Sequence, residues 1–321
     1  MPRIPLTRRE FCTRMGAVAL GTATFGMVPG ALAIQTPGAR YPDMVGAPGY
    51  MFAKAEDTLV DLARKHNLGF TELRAANPGV DTWLPGAGTR ILLPTGHLLP
   101  NGPREGLVLN LADQRLYYFV PGGATVESYP IGTGREAWDT PLGSTTVVRK
   151  KRNPSWYVPK SIREEDPTLP KVVGPGPKNP LGRFAMYLGW PSYLIHGTNN
   201  PWGVGRRVSH GCIRLYPEDI AQLFPRIPKG TAVTVVKQQV KIGRVDGELM
   251  VEIQPSPKQS DAIEADGRFT PEPLPELPYM LVTVAGEDVK RIDWSAVNRA
   301  ARERRGVPVR VLKQEAAVSA R

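Results

Sequence analysis

Between positions 107 and 236 the chain returns repeatedly to short runs of β-branched, aromatic and leucine residues, each closed by a turn signal. Residues 107–111 and 115–120 flank Ala112-Asp113-Gln114 and read as a hairpin; residues 126–131, 143–149, 184–188, 193–195 and 232–236 continue the series. Runs this short bury a face by pairing with one another, since a helix needs more residues to present an apolar stripe. One segment breaks the pattern: Pro217-Glu218-Asp219 leads into Ile220, Leu223 and Phe224 at helical spacing. The fold class expected is mainly β, a mostly antiparallel β-sandwich with little helix.

The flanks differ in texture. Upstream, Glu56-Asp57-Thr58-Leu59 opens a helix that Asp57 or Thr58 can cap, Asn67-Leu68-Gly69 turns, and a second helix carrying Leu73 ends at Asn77-Pro78. Leu84-Pro85-Gly86 and a strand over 90–93 close a small strand-helix-helix-strand unit at 49–95. Before it, 34–48 is rich in Gly and Pro and reads as a linker, which suggests an independent unit. Downstream of Lys237, the pattern predicts a hairpin over 240–253, a proline-rich bridge over 255–278, a strand over 280–284, a helix over 294–305 and a strand over 307–312. Residues 238–321 are thus expected to form a small α+β lobe.

The first 33 residues point to export. Arg8 and Arg9 precede an uncharged, Gly- and Ala-containing stretch that reaches Ala31-Leu32-Ala33, the form of a twin-arginine signal peptide over 1–33 with a small-x-small cleavage site. An uncleaved anchor is the alternative, since about 20 such residues could span a bilayer. Cleavage after Ala33 would leave Cys212 as the single thiol, and its destination would be the periplasm or cell wall. Formal net charge is +11, and removing the +3 of the first 33 residues leaves +8. A basic balance suits an anionic polymer. No pattern that reads nucleic acid occurs, so no nucleic-acid partner is expected.

The chemistry concentrates in residues 195–215, IHGTNNPWGVGRRVSHGCIRL. A thiol needs a base or a positive centre to become a nucleophile. Two of the four histidines, His196 and His210, lie 16 and two positions before Cys212. Gly211 lets the backbone approach a substrate or take positive φ. Two other readings stand beside this one: an inert buried cysteine, and a zinc site using His196, His210 and Cys212.

The segment resembles the catalytic motif of the YkuD-type L,D-transpeptidases: a histidine, 14 to 17 residues, then Ser/Thr-His-Gly-Cys, an apolar residue, and Asn or Arg. His196, Ser209, His210, Gly211, Cys212, Ile213 and Arg214 meet it, and the resemblance extends over 104–237. It implies a β-sandwich catalytic domain of that type and a cysteine acyltransferase acting on peptidoglycan. By that resemblance, Cys212 takes the acyl group of a donor tetrapeptide stem as a thioester and releases D-Ala. His196 is its base, oriented by a main-chain carbonyl near Gly197, and His210 shapes the pocket. Gly211 and Cys212 offer backbone N–H groups to the oxyanion, with Ser209 in support, while Arg214, Trp202 and Tyr187 contact the stem. The acceptor is a second stem (a 3-3 cross-link) or a lipoprotein lysine, with water as the carboxypeptidase alternative and a non-catalytic wall-binding protein as the other. Carbapenems are expected to acylate the thiol, and neither metal nor organic cofactor is implied. Residues 49–95 resemble a LysM domain, a binder of N-acetylglucosamine-containing glycans, through Glu56-Asp57-Thr58-Leu59, Leu73 with Asn77-Pro78, Leu84-Pro85-Gly86 and Ile91 to Pro94.

Overall fold

The computed structural model describes residues 41–314 apart from Ala124 and Ala137. The segment expected to direct export, 1–33, lies outside the described residues, as does the first part of the expected linker. Among the described residues no helix is long and apolar enough to cross a membrane.

Eight strands form one sheet: β1 (Gly106–Asn110), β2 (Arg115–Phe119), β3 (Val126–Pro130), β4 (Gly143–Arg152), β5 (Phe184–Leu188), β6 (Leu194–His196), β7 (Ile213–Arg214) and β8 (Ala232–Val236). Their order is β7-β6-β5-β4-β8-β1-β2-β3. Neighbours are antiparallel except β8 with β1 and β6 with β7, which run parallel. Just beyond β3, Gly132 exchanges backbone hydrogen bonds with Arg214 of β7 at 2.8 and 2.9 Å, so the two edges of the sheet meet. The fold is mainly β, as expected, but the sheet curls round one core where two stacked sheets were anticipated. Leu107, Leu109, Leu116, Met186, Ile195 and Val233 all point into that core, and the helix Pro217–Arg226 adds Ile220, Leu223 and Phe224. On β1 and β2 the alternate residues Val108, Tyr117 and Phe119 are buried as well, beneath Tyr41, Val45 and Leu99. This second covered face is why those strands read as nearly continuous apolar runs.

The cover comes from residues expected to be linker. Met44–Val45 pairs antiparallel with His97–Leu98. The Tyr41 hydroxyl donates to the Val120 carbonyl at 3.0 Å, and its ring meets Phe119 edge-on at 5.1 Å. Glycine and proline there mark bends in a packed strap.

In the N-terminal unit Gly49–Phe52 pairs antiparallel with Arg90–Leu93, and the helices Leu59–Lys65 and Phe70–Ala76 lie between them in sequence. Thr58 caps the first helix, accepting from the Asp61 N–H at 3.0 Å. Asn77 ties the end of the second helix to the closing strand: its amide donates to the carbonyls of Leu73 and Leu92, and its carbonyl oxygen accepts from the Leu92 N–H. The unit is not independent of the sheet. Glu72, on its second helix, is the buried counter-ion of Arg115 on β2 at 2.8 Å. The Gly205 carbonyl accepts from the Thr71 N–H at 3.2 Å, and a Cβ on Gly205 would come within 2.2 Å of the Gly69 Cα.

The C-terminal lobe is a hairpin, Val240–Val245 with Glu248–Ile253, joined by Val309–Arg310 and covered by helices. Two expectations are corrected here. The proline-rich bridge contains the helix Pro257–Asp266, capped by Ser256, whose hydroxyl accepts from the Gln259 N–H. Residues 280–284, expected as a strand for their β-branched content, belong to the helix Leu277–Ala285. There Leu277, Leu281 and Ala285 recur every fourth residue and fill the lobe's core, so packing overrides propensity. Lys241 anchors the lobe to the sheet. Fully buried, it lies 2.7 Å from Asp113, 2.7 Å from Glu252 and 3.0 Å from the Tyr117 hydroxyl.

Candidate active site

The parallel pairing of β6 and β7 assembles the site. It sets His196 beside Arg214 and Ile195 beside Ile213, which brings Cys212, two residues before Arg214, next to the start of β6. The turn that presents the thiol is tightly specified. Gly211 has φ +95°, and a Cβ there would come within 2.7 Å of the Tyr193 ring. Ser209 Oγ donates to the Cys212 carbonyl at 2.6 Å and accepts from the Gly211 N–H at 3.1 Å. Thr140 Oγ1 donates to the Gly211 carbonyl at 2.8 Å. The Gly211 N–H, expected to face an oxyanion, is therefore taken up inside the turn.

His196 and Cys212 line one cavity of 160 Å³, together with Ser209, His210 and Arg214. Trp156, Ile162, Pro180 and Leu181, from the long connection between β4 and β5, form the rest of its wall. Of the cavities among the described residues, two of larger volume, 590 and 480 Å³, have neither a thiol nor an imidazole in their walls. His196 Nδ1 donates to the Gly197 carbonyl at 2.5 Å, so Nε2 is the nitrogen left to exchange a proton. Burial, aided by the nearby Arg214 guanidinium, lowers His196 to about 3. Burial also raises Cys212, against smaller opposing effects from a Leu194 backbone hydrogen bond and Arg214. At neutral pH the pair is an uncharged thiol beside an uncharged imidazole. The Cys212 thiol donates to the Ser192 carbonyl at 3.4 Å.

His210 is turned to other partners. Its Nε2 lies 3.0 Å from Glu165 and its ring meets Trp138 edge-on at 4.8 Å, while Arg135 reaches the same Glu165 oxygen at 2.5 Å. Side-chain hydrogen bonds from His210 and Arg135 lower the Glu165 carboxyl. The zinc alternative would need His210 and His196 to converge on Cys212. Among the described residues no cluster of three His, Cys, Asp or Glu could hold a metal.

Arg214 lines the cavity with no carboxylate partner among the described residues, and its buried Nε has no hydrogen-bond acceptor. Trp202 and Tyr187, expected to contact substrate, do not line the cavity. Trp202 is 54% exposed in the turn Pro201–Gly203, and Tyr187 lies under the Arg149 guanidinium at 3.6 Å. Sequence reasoning missed Glu165, Arg135 and the apolar wall, because the 31-residue connection that supplies most of them carries no local signal of where it folds back.

A model of the YkuD family, the L,D-transpeptidase catalytic domain, matches residues 104–235. A relative in Salmonella typhimurium, described as a probable L,D-transpeptidase ErfK/SrfK, is 38% identical over 277 residues, which is 84% of this chain and 87% of the relative. A second, in Escherichia coli K12, described as a probable L,D-transpeptidase YbiS, is 40% identical over 256 residues, or 78% of this chain and 81% of that one. At this identity and coverage the chain belongs to the L,D-transpeptidase family.

Proposed function

We propose that the protein is an exported peptidoglycan L,D-transpeptidase with Cys212 as nucleophile and His196 as general base. The observation that carries the reading is the single cavity bordered by both side chains, with His196 Nδ1 committed to Gly197 and Nε2 left over. In the first half-reaction Cys212 Sγ bonds to the carbonyl carbon of the stem's diamino acid as the amide bond to D-Ala breaks. The thiol proton passes to His196 Nε2 and from there to the departing D-Ala amine. In the second, an acceptor amine attacks the thioester, forms the new amide and gives its proton to His196, and the thiolate leaves. Arg214, close enough to favour the thiolate, stabilises the sulfur as it gains charge. The Ser209 bonds hold the turn that aims it, and His210, fixed by Glu165, shapes the wall. The N-terminal unit, read as LysM-like, serves to hold the glycan strand.

The acceptor decides the biological outcome. Incubating the protein with purified muropeptides and separating the products should yield cross-linked dimers with release of D-Ala, or lipoprotein-linked stems when a lysine acceptor is supplied. Only tripeptide and free D-Ala would make it a carboxypeptidase. No conversion at all would remove the reading.

A further inference from the structure

One irregularity sorts the cations of β4 between the two faces of the sheet. Val147 lies opposite Leu188, but Arg149, and not Val148, lies opposite Tyr187, so Val148 is an extra residue in the strand. Side chains alternate along a strand, and the insertion therefore puts every residue after it on the other face. Lys150 and Arg152 fall on the core side, where the Lys150 ammonium donates to the Phe224 and Ile227 carbonyls at the end of the helix Pro217–Arg226. Arg149 and Lys151 fall on the side of the thiol. The strand pairings extend that side into two rows. Lys151, Ala185, His196 and Arg214 form one. Arg149, Tyr187 and Leu194 form the other, and it ends beside Cys212, since Leu194 precedes Ile195 as Cys212 precedes its partner Ile213.

The two rows differ in what covers them. Ala185 and His196 are buried, and Ile162 and Leu181 from the connection between β4 and β5 wall the cavity at His196. Tyr187 and Leu194 are only half-buried, so an open path leaves the thiol over these two residues. At its far end the Arg149 guanidinium is held 3.6 Å over the Tyr187 ring, and Lys151 follows two positions along the strand. Both cations are exposed, and neither has a carboxylate partner among the described residues. The chemistry of the donor selects what uses this path. D-Ala, which leaves, is one small residue and suits the closed 160 Å³ cavity. The acyl part stays on the sulfur, is continuous with the glycan strand, and must run out over open surface. A guanidinium lying over β5 is two strand spacings from β7, about 10 Å. Three extended residues span about the same distance. A guanidinium fixed by stacking presents paired donors that match a carboxylate. We propose that Arg149, supported by Lys151, binds a free carboxylate on the acyl side of the donor stem, and so selects stems in which that group is not amidated. The proposal rests on the transpeptidase reading for the identity of the stem.

The test uses the full chain and two synthetic donors, with D-Ala release as the readout. One is a tetrapeptide stem whose second residue carries a free carboxylate, and the other is the same stem with a carboxamide there. The wild type should prefer the free acid about tenfold in kcat/KM, expressed in KM, as one charge-assisted hydrogen bond would give. Arg149→Gln should bring that ratio close to one, and Lys151→Gln, which removes an exposed supporting charge, should reduce it to roughly threefold. Arg149→Lys, which keeps the charge and loses the paired donors, should retain part of the preference. Arg149→Glu should reverse it. A wild-type ratio near one overturns the proposal. So does an Arg149→Gln variant that slows both stems alike and keeps the ratio, which would make the stacked pair a brace of the sheet. Calorimetric binding of both stems to Cys212→Ala separates this proposal from the reading it rests on. Preference for the free acid there, with no D-Ala release by the wild type, would support the carboxylate site and sink the transpeptidase reading. Release of D-Ala with no preference in either measurement would sink the site and spare that reading.

Discussion

An imidazole kept neutral by burial borders the same cavity as a thiol that the same burial keeps protonated, so on the proposed mechanism the nucleophile is made during the reaction and does not wait as an ion pair. This sets the pH dependence. With His196 near 3, lowering the pH from 8 to 5 leaves the imidazole unprotonated, and the base is not lost. The rate of carbapenem acylation should therefore stay flat over that range. In His196→Ala the rate at pH 7 should fall roughly a hundred- to ten-thousand-fold, the usual worth of a positioned base. It should then climb about tenfold per pH unit, because only spontaneous ionisation supplies thiolate and burial holds that ionisation above the ordinary thiol value of about 8.5. Stopped-flow acylation across pH 5–9.5 measures both. An inflection near pH 6.5 in the wild type would show that His196 keeps the ordinary imidazole value and is not depressed by burial.

Among the elements, the hairpin of the C-terminal lobe is held by a charge that has left water. Lys241 satisfies Asp113 and Glu252 at once, and burial pushes Glu252 upward even with that partner. Lys241→Met strands two buried carboxylates and should cost about 3–5 kcal/mol in urea unfolding at pH 7. A loss under 1 kcal/mol would mean that water reaches the cluster. The same lobe marks how far the sequence could be read. The hairpin over 240–253 was legible from alternation and from Asp246-Gly247, which turns with both φ angles positive. The helix Leu277–Ala285 was not, because Leu, Val and Thr in succession suit a strand equally well, and only the core it covers decides. Thr58 and its helix were legible because a cap is a local device. Curling of the sheet was not, since the bridge between Gly132 and Arg214 joins positions 82 residues apart. At the site, the motif placed His196, Ser209 and Cys212 around one cavity, while Glu165 meets His210 through folding that no spacing records.

At the scale of the whole molecule, the N-terminal unit is a structural partner of the catalytic sheet. Glu72 neutralises Arg115 on β2, the Tyr216 hydroxyl donates to the Leu68 carbonyl at 3.1 Å, and Gly205 touches Gly69 just before the strand that leads to Cys212. Deleting residues 41–95 should lower the thermal midpoint of the remaining protein and slow its turnover of small soluble stems, even though those substrates need no glycan site. Unchanged turnover by the truncated chain would show that the contacts are incidental. All of this positions one sulfur atom, and intact-mass spectrometry tests that claim most directly. Mixed with a donor tetrapeptide stem, the protein should gain the mass of the stem less D-Ala, mapped by peptide digestion to Cys212 and absent from Cys212→Ala. Cross-linking by Cys212→Ala, or turnover by the wild type that vanishes with chelator and leaves no adduct, would contradict the account.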